Sequence, residues 1–447
     1  MRTLLKNGNL IDGLGHSQPC TDILIVDERI EQIGQDVTVE NESIDQTLDL
    51  AGKTVMPGLI DCHVHICRGD AHGEAPLWPA VPGAEITEYE AGFLKETSPA
   101  MRDLLSGLHH AQRTLEAGYT TVRDVGLARG FSDIVLREAI ARKPEMFTGP
   151  RILASGGGIA ITGGHAWYFE DSVSGIIEVD GVDEARKAAR VQLKAGADIL
   201  KVMATRAGGT KLASGAPELS VDEMRAICEE AHKWGKRVAA HAIGARGIEN
   251  AVCAGVDTIE HGCLAADESL DLMAERGTYL ISTLYPYHNQ AHLAVELGYP
   301  DDVVEPSLDI MKVYPQTIKR AYDKGVKIAL GSDCGLRGLT PHGENATELE
   351  MIVQLTDLSE MKAIELTTRA GAEALGLGDS IGTLEIGKCA DIIVIDGDPL
   401  TNISLLKDRN KIALVLKEGA IVTNKDCNHA LNMLGKTNAR PANWLKR

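Results

Sequence analysis

The sequence is poor in aromatic residues and in long apolar runs. Phe, Trp and Tyr make up 4% of its 447 residues. Ala, Gly, Val, Ile and Leu dominate instead, and this composition favours parallel strands alternating with helices over a pure β-sandwich. No apolar stretch approaches the length of a membrane span, and the apolar run after Met1 is too short for a signal peptide. We therefore expect a cytoplasmic protein without a membrane partner.

Basic residues are also in deficit. The chain has 45 Lys and Arg residues against 64 Asp and Glu residues, a formal charge of −19. Nonspecific binding to nucleic acid or to an anionic membrane depends on basic surface, so this balance argues against both. The nine cysteines contain no Cys-x-x-Cys pair and no framework spacing, which predicts reduced and mostly buried thiols.

Both ends of the chain read as short strands with Gly and Asp at the turns. Residues 1–56 contain several such runs, and Ala390 to Asp396 and Ile412 to Gly419 repeat the pattern near the other end. An isolated hairpin is only marginally stable, so we expect the two ends to assemble into one small β-sandwich domain. This predicts a first part at 1–56, a central domain at 57–375, a second part at 376–425 and a tail at 426–447.

In the central region, short apolar runs alternate with helical patterns. The sequence Ser220-Val221-Asp222-Glu223 matches the capping box that marks a helix start. Eight strands, each followed by a helix, predict parallel pairing in the α/β class and closure into a distorted TIM (β/α)8 barrel. A doubly wound open sheet is the alternative. The predicted strands are Leu59 to His65, Thr120 to Asp124, Arg151 to Ser155, Ile199 to Met203, Val238 to His241, Thr258 to His261, Tyr279 to Thr283 and Lys327 to Gly331.

Two long connections interrupt this rhythm, Ile66 to Pro99 and Leu284 to Glu305. Connections of this length in a compact domain are usually functional. In a barrel, both would lie at the carboxyl ends of the strands, where active sites are found. We therefore expect loops over the site.

Ionisable residues stand at or near the ends of five predicted strands. His63 and His65 share one face of the first strand, because side chains at i and i+2 point the same way. The others are Lys201, His241, His261 and Asp333. Taken singly, His63 and His65 are more often ordinary strand or loop histidines than a ligand pair, and His241 or His261 alone is more often a hydrogen-bonded core histidine. Asp333 alone reads as a turn or capping residue. Taken together, they predict a binuclear site for divalent metal ions, most plausibly Zn²⁺.

Lys201 needs separate treatment, because an ammonium group cannot ligate a cation and is costly to bury unpaired. Carbamylation by carbon dioxide would turn it into an anionic ligand that bridges two metals. An ion pair with Glu260 is the equal alternative. Two metals would lower the pKa of a bridging water to give hydroxide at neutral pH, with Asp333 as ligand and general base. This chemistry suits hydrolysis of an amide, an ester or a related bond.

The ordered set of Pro57 to Asp61, His63, His65, Lys201, His241, His261 and Asp333 resembles the amidohydrolase superfamily. Within it, the chain is most similar to the group of metal-dependent Xaa-Pro dipeptidases, imidazolonepropionase-like proteins and ochratoxinase-like carboxypeptidases. The resemblance implies N6-carboxylysine at Lys201 bridging the metals, with His63, His65 and Asp333 on one ion and His241 and His261 on the other. It also implies that His165 contacts the scissile carbonyl; an incidental loop histidine is the alternative.

The substrate is less well determined. Several relatives carry Tyr two residues after the fifth-strand histidine, where this chain has Ile243. Tyr285 or Tyr287 is the expected substitute, and the absence of this contact is the alternative. Arg206 and Lys211 are candidates for binding a substrate carboxylate, with solvated loop charges as the alternative. We expect a dipeptide or an N-acyl amino acid as the small-molecule substrate, and a homo-oligomer. The alternatives are a cyclic amide, as for imidazolonepropionase, a xenobiotic amide, carbamate or ester such as ochratoxin, and a noncatalytic scaffold.

Overall fold

The computed structural model describes residues 1–38, 43–68, 98–165, 175–207, 215–293, 296, 301–336 and 338–424. Most of the first long connection, Lys211 and the predicted tail at 426–447 lie outside the described residues. No described helix is long and apolar enough to cross a membrane.

The secondary structure alternates as the apolar runs predict. The strands are β1 (Arg2–Ile11), β2 (Ser17–Val26), β3 (Arg29–Gly34), β4 (Gln46–Asp49), β5 (Thr54–Pro57), β6 (Leu59–Val64), β7 (Tyr119–Asp124), β8 (Arg151–Leu153), β9 (Gly158–Ala160), β10 (Ile176–Glu178), β11 (Ile199–Met203), β12 (Arg237–Gly244), β13 (Thr258–Leu264), β14 (Tyr279–Ser282), β15 (Ile328–Leu330), β16 (Ile392–Ile395), β17 (Ile412–Lys417) and β18 (Ala420–Asn424). The helices are α1 (Pro99–Glu116), α2 (Ser132–Arg142), α3 (Val182–Ala195), α4 (Val221–His232), α5 (Ala245–Ala254), α6 (Asp267–Arg276), α7 (Leu284–His292), α8 (Asp301–Asp323), α9 (Thr347–Thr356), α10 (Glu360–Thr367) and α11 (Arg369–Leu375). Short 3₁₀ helices span Arg129–Phe131, Ile403–Lys407 and Arg409–Lys411.

The two ends of the chain form one mixed sheet. Its order is β18-β17-β16-β5-β1-β2-β3, and β4 pairs with β1. The junction between the two ends is the antiparallel pair of β16 with β5. Leu5, Ile23 and Val55 pack in one apolar cluster with Ile392 and Leu414, so each end completes the core of the other.

The central strands are parallel and close into a ring. Hydrogen bonds join β6 to β7 and β8, and join β9 through β11, β12, β13 and β14 to β15. Two backbone contacts bridge the gaps between these sets: Asp198 N donates to Ala154 O at 2.7 Å, and Asp333 N donates to His63 O at 2.8 Å. The distorted α/β barrel is therefore confirmed, and the doubly wound open sheet is not the architecture.

The capping box at the start of α4 is present in full. The hydroxyl oxygen of Ser220 accepts from the backbone N–H of Glu223 at 3.3 Å, and the Glu223 carboxylate accepts from the backbone N–H of Ser220 at 2.8 Å. The local sequence was sufficient to predict where this helix starts, because both partners of the cap lie within one helical turn.

The second long connection is not a loop, and that prediction was wrong. It contains helix α7 and the first turn of α8. Glu348, far along the chain in α9, accepts a hydrogen bond from the backbone N–H of Tyr285 at 2.8 Å and so satisfies an orphan donor in the first turn of α7. This stabilising contact is tertiary, which is why the local pattern did not reveal the helix.

Candidate active site

The barrel brings the predicted ligand residues to one pocket. The described residues that line it include His63, His65, His165, Lys201, His241, His261 and Asp333. Each is more than nine-tenths buried. They converge because they lie within, or a few residues beyond, parallel strands of one barrel, and the carboxyl ends of such strands meet at one face.

The hydrogen bonds of His63 and His65 determine which ring nitrogen carries the proton. Nδ1 of His63 lies 2.7 Å from a carboxylate oxygen of Glu260, and Nδ1 of His65 lies 2.9 Å from the carbonyl oxygen of Gly126. Both partners only accept hydrogen bonds, so each ring donates from Nδ1. Burial holds the pKa of His63 well below its usual range, so this ring is neutral. Its Nε2 therefore presents a lone pair.

These lone pairs face a carboxylate oxygen. Nε2 of His63 and of His65 lie 3.5 and 3.2 Å from Oδ1 of Asp333, and the three donor atoms are within 4.8 Å of one another. Nearby, Nζ of Lys201 and Nε2 of His241 are buried and have no hydrogen-bond partner among the described residues. Imidazole and carboxylate donors that converge in a buried pocket are what a divalent metal requires. The residues therefore fit a metal site.

Lys201 does not form the ion pair that the sequence left open. Glu260 instead accepts two hydrogen bonds from the guanidinium group of Arg123, at 2.8 and 2.9 Å. Burial lowers the pKa of Lys201 to about 8. A substantial fraction of the amine is therefore neutral near physiological pH, and the neutral form is the nucleophile that carbamylation needs.

The remaining histidines continue around the pocket. The ring centroid of His261 lies 4.8 Å from that of His63 and 4.7 Å from that of His241. Nδ1 of His261 is 2.7 Å from the hydroxyl of Thr283. The ring centroid of His165 lies 4.2 Å from that of His241. The four rings thus form a continuous imidazole-lined wall.

Two of these residues have an unusual backbone conformation. His261 has φ of 70° and Asp333 has φ of 52°, in the left-handed region that residues with a Cβ rarely occupy. Such positions cost roughly 1–3 kcal/mol each and cluster at functional sites. The backbone within β13, at His261, and after β15, at Asp333, accepts this cost, and both side chains line the pocket.

Arg206 is engaged with the loop that carries His165. Nε of Arg206 donates to Glu218 at 3.2 Å, and Nη2 donates to the carbonyl oxygen of Gly163 at 3.0 Å. The other carboxylate oxygen of Glu218 accepts from the backbone N–H of His165 at 2.9 Å. Arg206 and Glu218 therefore clamp this loop. A substrate role for Arg206 stays a prediction.

The two tyrosines predicted near the substrate lie in different surroundings. Tyr287 lines the pocket, with its ring centroid 6.0 Å from that of His261. Tyr285 is not among the described lining residues, and its hydroxyl donates to Glu344 at 3.1 Å. Tyr287 is therefore the better placed of the two to meet a substrate.

Sequence reasoning missed Arg123, Glu218 and Arg68, and it considered Glu260 as a partner of Lys201 rather than of His63 and Arg123. Arg123 and Glu260 lie behind His63, Glu218 holds the His165 loop, and Arg68 lines the pocket. A signal was present for the first two, because a charged residue within an otherwise apolar, fully buried strand requires a partner. Nothing in the local sequence marks Glu218 or Arg68.

Known proteins resemble this chain over most of its length. Ochratoxinase from Aspergillus niger is 27% identical, with 94% of this chain and 86% of the relative covered. The structure of a Xaa-Pro dipeptidase with methionine bound in its active site is 32% identical, with a TM-score of 0.78 and 94% and 99% of the two chains covered. The structure of a prolidase in complex with N-methylphosphonate-L-proline is 29% identical, with a TM-score of 0.80 and 95% and 100% covered.

The family model described as the amidohydrolase family matches residues 54–422. This match covers the whole ring of strands together with its histidines, Lys201 and Asp333. It agrees with the pocket geometry, in which imidazole and carboxylate donors converge at the carboxyl ends of the barrel strands. The chain therefore belongs to the amidohydrolase family.

Proposed function

We propose that the protein is a zinc-dependent amidohydrolase that cleaves the amide bond of a dipeptide or an N-acyl amino acid, as a carboxypeptidase-like enzyme. The observation that carries the proposal is the convergence of His63, His65 and Asp333 on one point, with Lys201 and His241 beside them in the same pocket. The Xaa-Pro dipeptidase and prolidase relatives support the choice of bond.

The residues divide into two ligand sets. His63, His65 and Asp333 would hold one divalent ion, His241 and His261 would hold the other, and Lys201, as N6-carboxylysine, would supply oxygen donors to them. Zinc suits this mixture of imidazole and oxygen donors. When bound, zinc polarises a carbonyl group and lowers the pKa of water.

The burial of Lys201 supports its carbamylation. In this step, the neutral amine nitrogen attacks the carbon of carbon dioxide, an N–C bond forms, and one C=O π bond opens to place a negative charge on oxygen. The nitrogen then releases a proton to water, which leaves an anionic carbamate. The product carries two oxygen atoms that can bind a metal ion, whereas the unmodified side chain has no oxygen. Carbamylation also removes the amine that could be protonated to an ammonium group, which is costly to bury without a partner.

Asp333 and His165 divide the proton transfer and the orientation of the substrate. Asp333 takes a proton from the attacking water and delivers it to the amide nitrogen as the C–N bond breaks, so that the leaving group departs as a neutral amine. Burial lowers the pKa of His165 to about 3. The ring is therefore neutral, and it donates a hydrogen bond to the scissile carbonyl rather than a proton. Tyr287 is proposed as a second substrate contact.

Hydrolysis of a xenobiotic amide is the second candidate function. The resemblance to ochratoxinase favours it, and the same proton transfers apply to any secondary amide. The predicted cytoplasmic location and homo-oligomer stay predictions. Size-exclusion chromatography with light scattering tests the second of these.

A substrate panel tests the proposed function. The zinc-loaded protein is assayed against dipeptides, N-acyl amino acids, ochratoxin and a cyclic amide, and its metal content is measured in parallel. We expect about two zinc ions per chain, as in the binuclear site described above, and turnover of substrates with a free C-terminal carboxylate. Turnover of cyclic or carboxylate-free amides alone would overturn the substrate class. Protein that binds no transition metal and cleaves no amide would be a scaffold.

A further inference from the structure

The first and last strands of the barrel meet at a seam, formed by residues 61–65 and residues 332–334. His63 and His65 lie on one side of this seam, and Asp333 lies on the other. Two backbone hydrogen bonds cross it at 2.8 Å, one of them from the N–H of Asp333 to the carbonyl oxygen of His63. The distance between these three proposed ligands therefore depends on how the two sides of the seam are held together.

The carboxylate of Asp61 adds side-chain hydrogen bonds at the same seam. Its Oδ1 accepts from the backbone N–H of His63 at 3.1 Å and from that of Ser332 at 2.9 Å. Its Oδ2 accepts from the hydroxyl of Ser332 at 2.5 Å and from the side-chain amide of Asn345 at 2.8 Å. Asp61, Ser332 and Asn345 are all buried. One carboxylate therefore binds the backbone of His63 and the residue directly before Asp333.

The neighbouring contacts determine the direction of each hydrogen bond to Asp61. The hydroxyl oxygen of Ser332 accepts from the backbone N–H of Cys334 at 3.1 Å and from Nδ2 of Asn345 at 3.2 Å. Its one proton is therefore directed at Asp61. Oδ1 of Asn345 accepts from the backbone N–H of Gly343 at 2.9 Å, which determines the orientation of this amide. Each of these contacts to Asp61 thus comes from a donor, the arrangement that suits a carboxylate.

An amide cannot replace the carboxylate of Asp61 without placing two donors against each other. In Asp61→Asn, an NH₂ group at the position of Oδ2 would face the NH₂ group of Asn345. Turning the Asn345 amide over would move the conflict to the backbone N–H of Gly343. Turning the new amide over would place its NH₂ group against the backbone N–H groups of His63 and Ser332. A buried donor without an acceptor is costly, so every orientation strains the seam.

We infer that Asp61 and Asn345 are positioning residues that hold His63 and Asp333, on the two sides of the seam, at the spacing that a metal ion requires. Neither side chain is part of the described lining of the pocket, so both act through the backbone of the ligand residues. The inference rests on the metal site of the proposed function and deepens it. It does not depend on which amide bond the protein cleaves.

An exchange of the carboxylate and the amide tests this inference. The variants are Asp61→Asn, Asn345→Asp and the double variant Asp61→Asn/Asn345→Asp. In the double variant, the oxygen of the amide at position 61 can accept from the backbone of His63 and Ser332, and its NH₂ group can donate to the carboxylate at position 345. That carboxylate can also accept from the backbone N–H of Gly343. The double variant therefore regains the pairing of donors with acceptors that each single variant loses.

We expect the zinc affinity of each single variant to fall about 10- to 100-fold, the usual cost of losing an outer partner of a metal ligand. The double variant should recover most of this loss. Chelator competition with the metal-free protein measures the affinity. The visible absorption of the Co²⁺-loaded protein shows whether the geometry of the donors is recovered as well. Neither measurement depends on turnover.

Thr367→Val is the matched control for a loss of stability. The buried hydroxyl of Thr367 donates to the carbonyl oxygen of Ile60 at 2.9 Å. The substitution therefore removes a buried hydrogen bond from the same strand, at a residue outside the seam. We expect a lower melting temperature and an unchanged zinc affinity. A fall in zinc affinity as large as that of Asp61→Asn would mean that affinity follows stability alone, and it would overturn the inference.

Asn345→Ala serves if the exchange variants do not fold. It removes one donor and leaves the carboxylate of Asp61 in place, so we expect zinc affinity to fall about 2- to 10-fold, the range for one hydrogen bond. Wild-type zinc affinity in Asp61→Asn or in Asn345→Ala would overturn the inference, as would a double variant no better than the single ones. These results leave amide hydrolysis intact. A wild-type protein that binds no zinc would instead overturn the proposed function, and the inference with it.

Discussion

Nδ1 of His63 lies 2.7 Å from the carboxylate of Glu260, and both side chains are fully buried. Arg123 holds the same carboxylate with two hydrogen bonds, at 2.8 and 2.9 Å. Because a carboxylate only accepts, this arrangement keeps the proton of His63 on Nδ1 and leaves Nε2 directed at Asp333. A buried Arg–Glu pair thus selects the tautomer that a metal ligand needs.

Glu260→Gln tests this positioning. The amide of Gln can present its NH₂ group to Nδ1, which favours the other tautomer and removes the lone pair from Nε2. We expect zinc affinity to fall about 10- to 100-fold, the usual cost of losing such an outer partner. Chelator competition measures it. The double variant Arg123→Met/Glu260→Gln also removes the guanidinium group that Glu260→Gln leaves without a counter-charge. Comparing the single with the double variant separates a loss of folding stability from the loss of zinc affinity. Unchanged zinc affinity would contradict the tautomer argument.

Lys201→Ala removes the proposed N6-carboxylysine. We expect most of the turnover and part of the bound zinc to disappear, because the alanine offers no donor between the two ligand sets. Added acetate or propionate should restore part of both by supplying a carboxylate to the space left behind. Turnover near the wild-type level without such a rescue agent would refute the bridging role.

Asp333→Asn tests the proton transfer. Asparagine preserves the size of the side chain and one oxygen, so the melting temperature should change little. The variant cannot carry a proton from water to the amide nitrogen, and kcat should fall about 10²- to 10⁴-fold, the range for a lost general acid–base group. A variant that retains full activity at normal zinc content would remove Asp333 from this role.

Gly331→Ala probes the packing behind His63. A Cβ at this position would lie 2.4 Å from Cβ of His63 and 3.0 Å from its backbone nitrogen, so the backbone on which the ligand sits must move. We expect a loss of about 1–3 kcal/mol in the free energy of unfolding, as for overpacked cores, together with weaker zinc binding. Gly34→Ala is the control, since nothing lies within 4 Å of its added Cβ. Equal effects of the two substitutions would contradict the packing argument.

Glu348 predicts a pH dependence of stability that is separate from catalysis. Burial raises its pKa from the ordinary value of 4.5 to about 7. A carboxyl group with a raised pKa in the folded state holds its proton there after the unfolded chain has released it, so stability falls as the pH rises from about 4.5 to about 7. The full cost, about 3 kcal/mol for such a shift, persists above that range.

Glu348→Gln should flatten this slope. Its amide can still accept from the backbone of Tyr285 and donate to the hydroxyl of Ser282, two of the groups that Glu348 contacts. Urea unfolding followed between about pH 5 and pH 8 measures the effect. Glu275→Gln, at a side chain that is 73% exposed, should leave the slope as it is. A wild-type profile that is flat over this range would contradict the assignment.

Much of the architecture could be predicted from the sequence alone. Apolar runs with helical patterns between them determine a parallel barrel, and strand periodicity places His63 and His65 on one face. The capping box of Ser220 lies within one helical turn. These features depend on residues close in sequence, or on the rule that parallel strands bring their carboxyl ends together. For that reason, the convergence of the proposed ligand residues on one pocket was predictable, while their hydrogen-bond partners were not.

Only the tertiary structure decided the remaining features. His63 and Glu260, Tyr285 and Glu348, and Arg206 and Glu218 are pairs whose members belong to different strands, helices or loops. Each buried polar group takes whichever partner the packing brings within about 3 Å, and no local pattern records that choice. The sequence therefore determined which chemistry the barrel can hold. Packing determined the tautomer of His63, the helix that begins at Leu284 and the partner of Arg206.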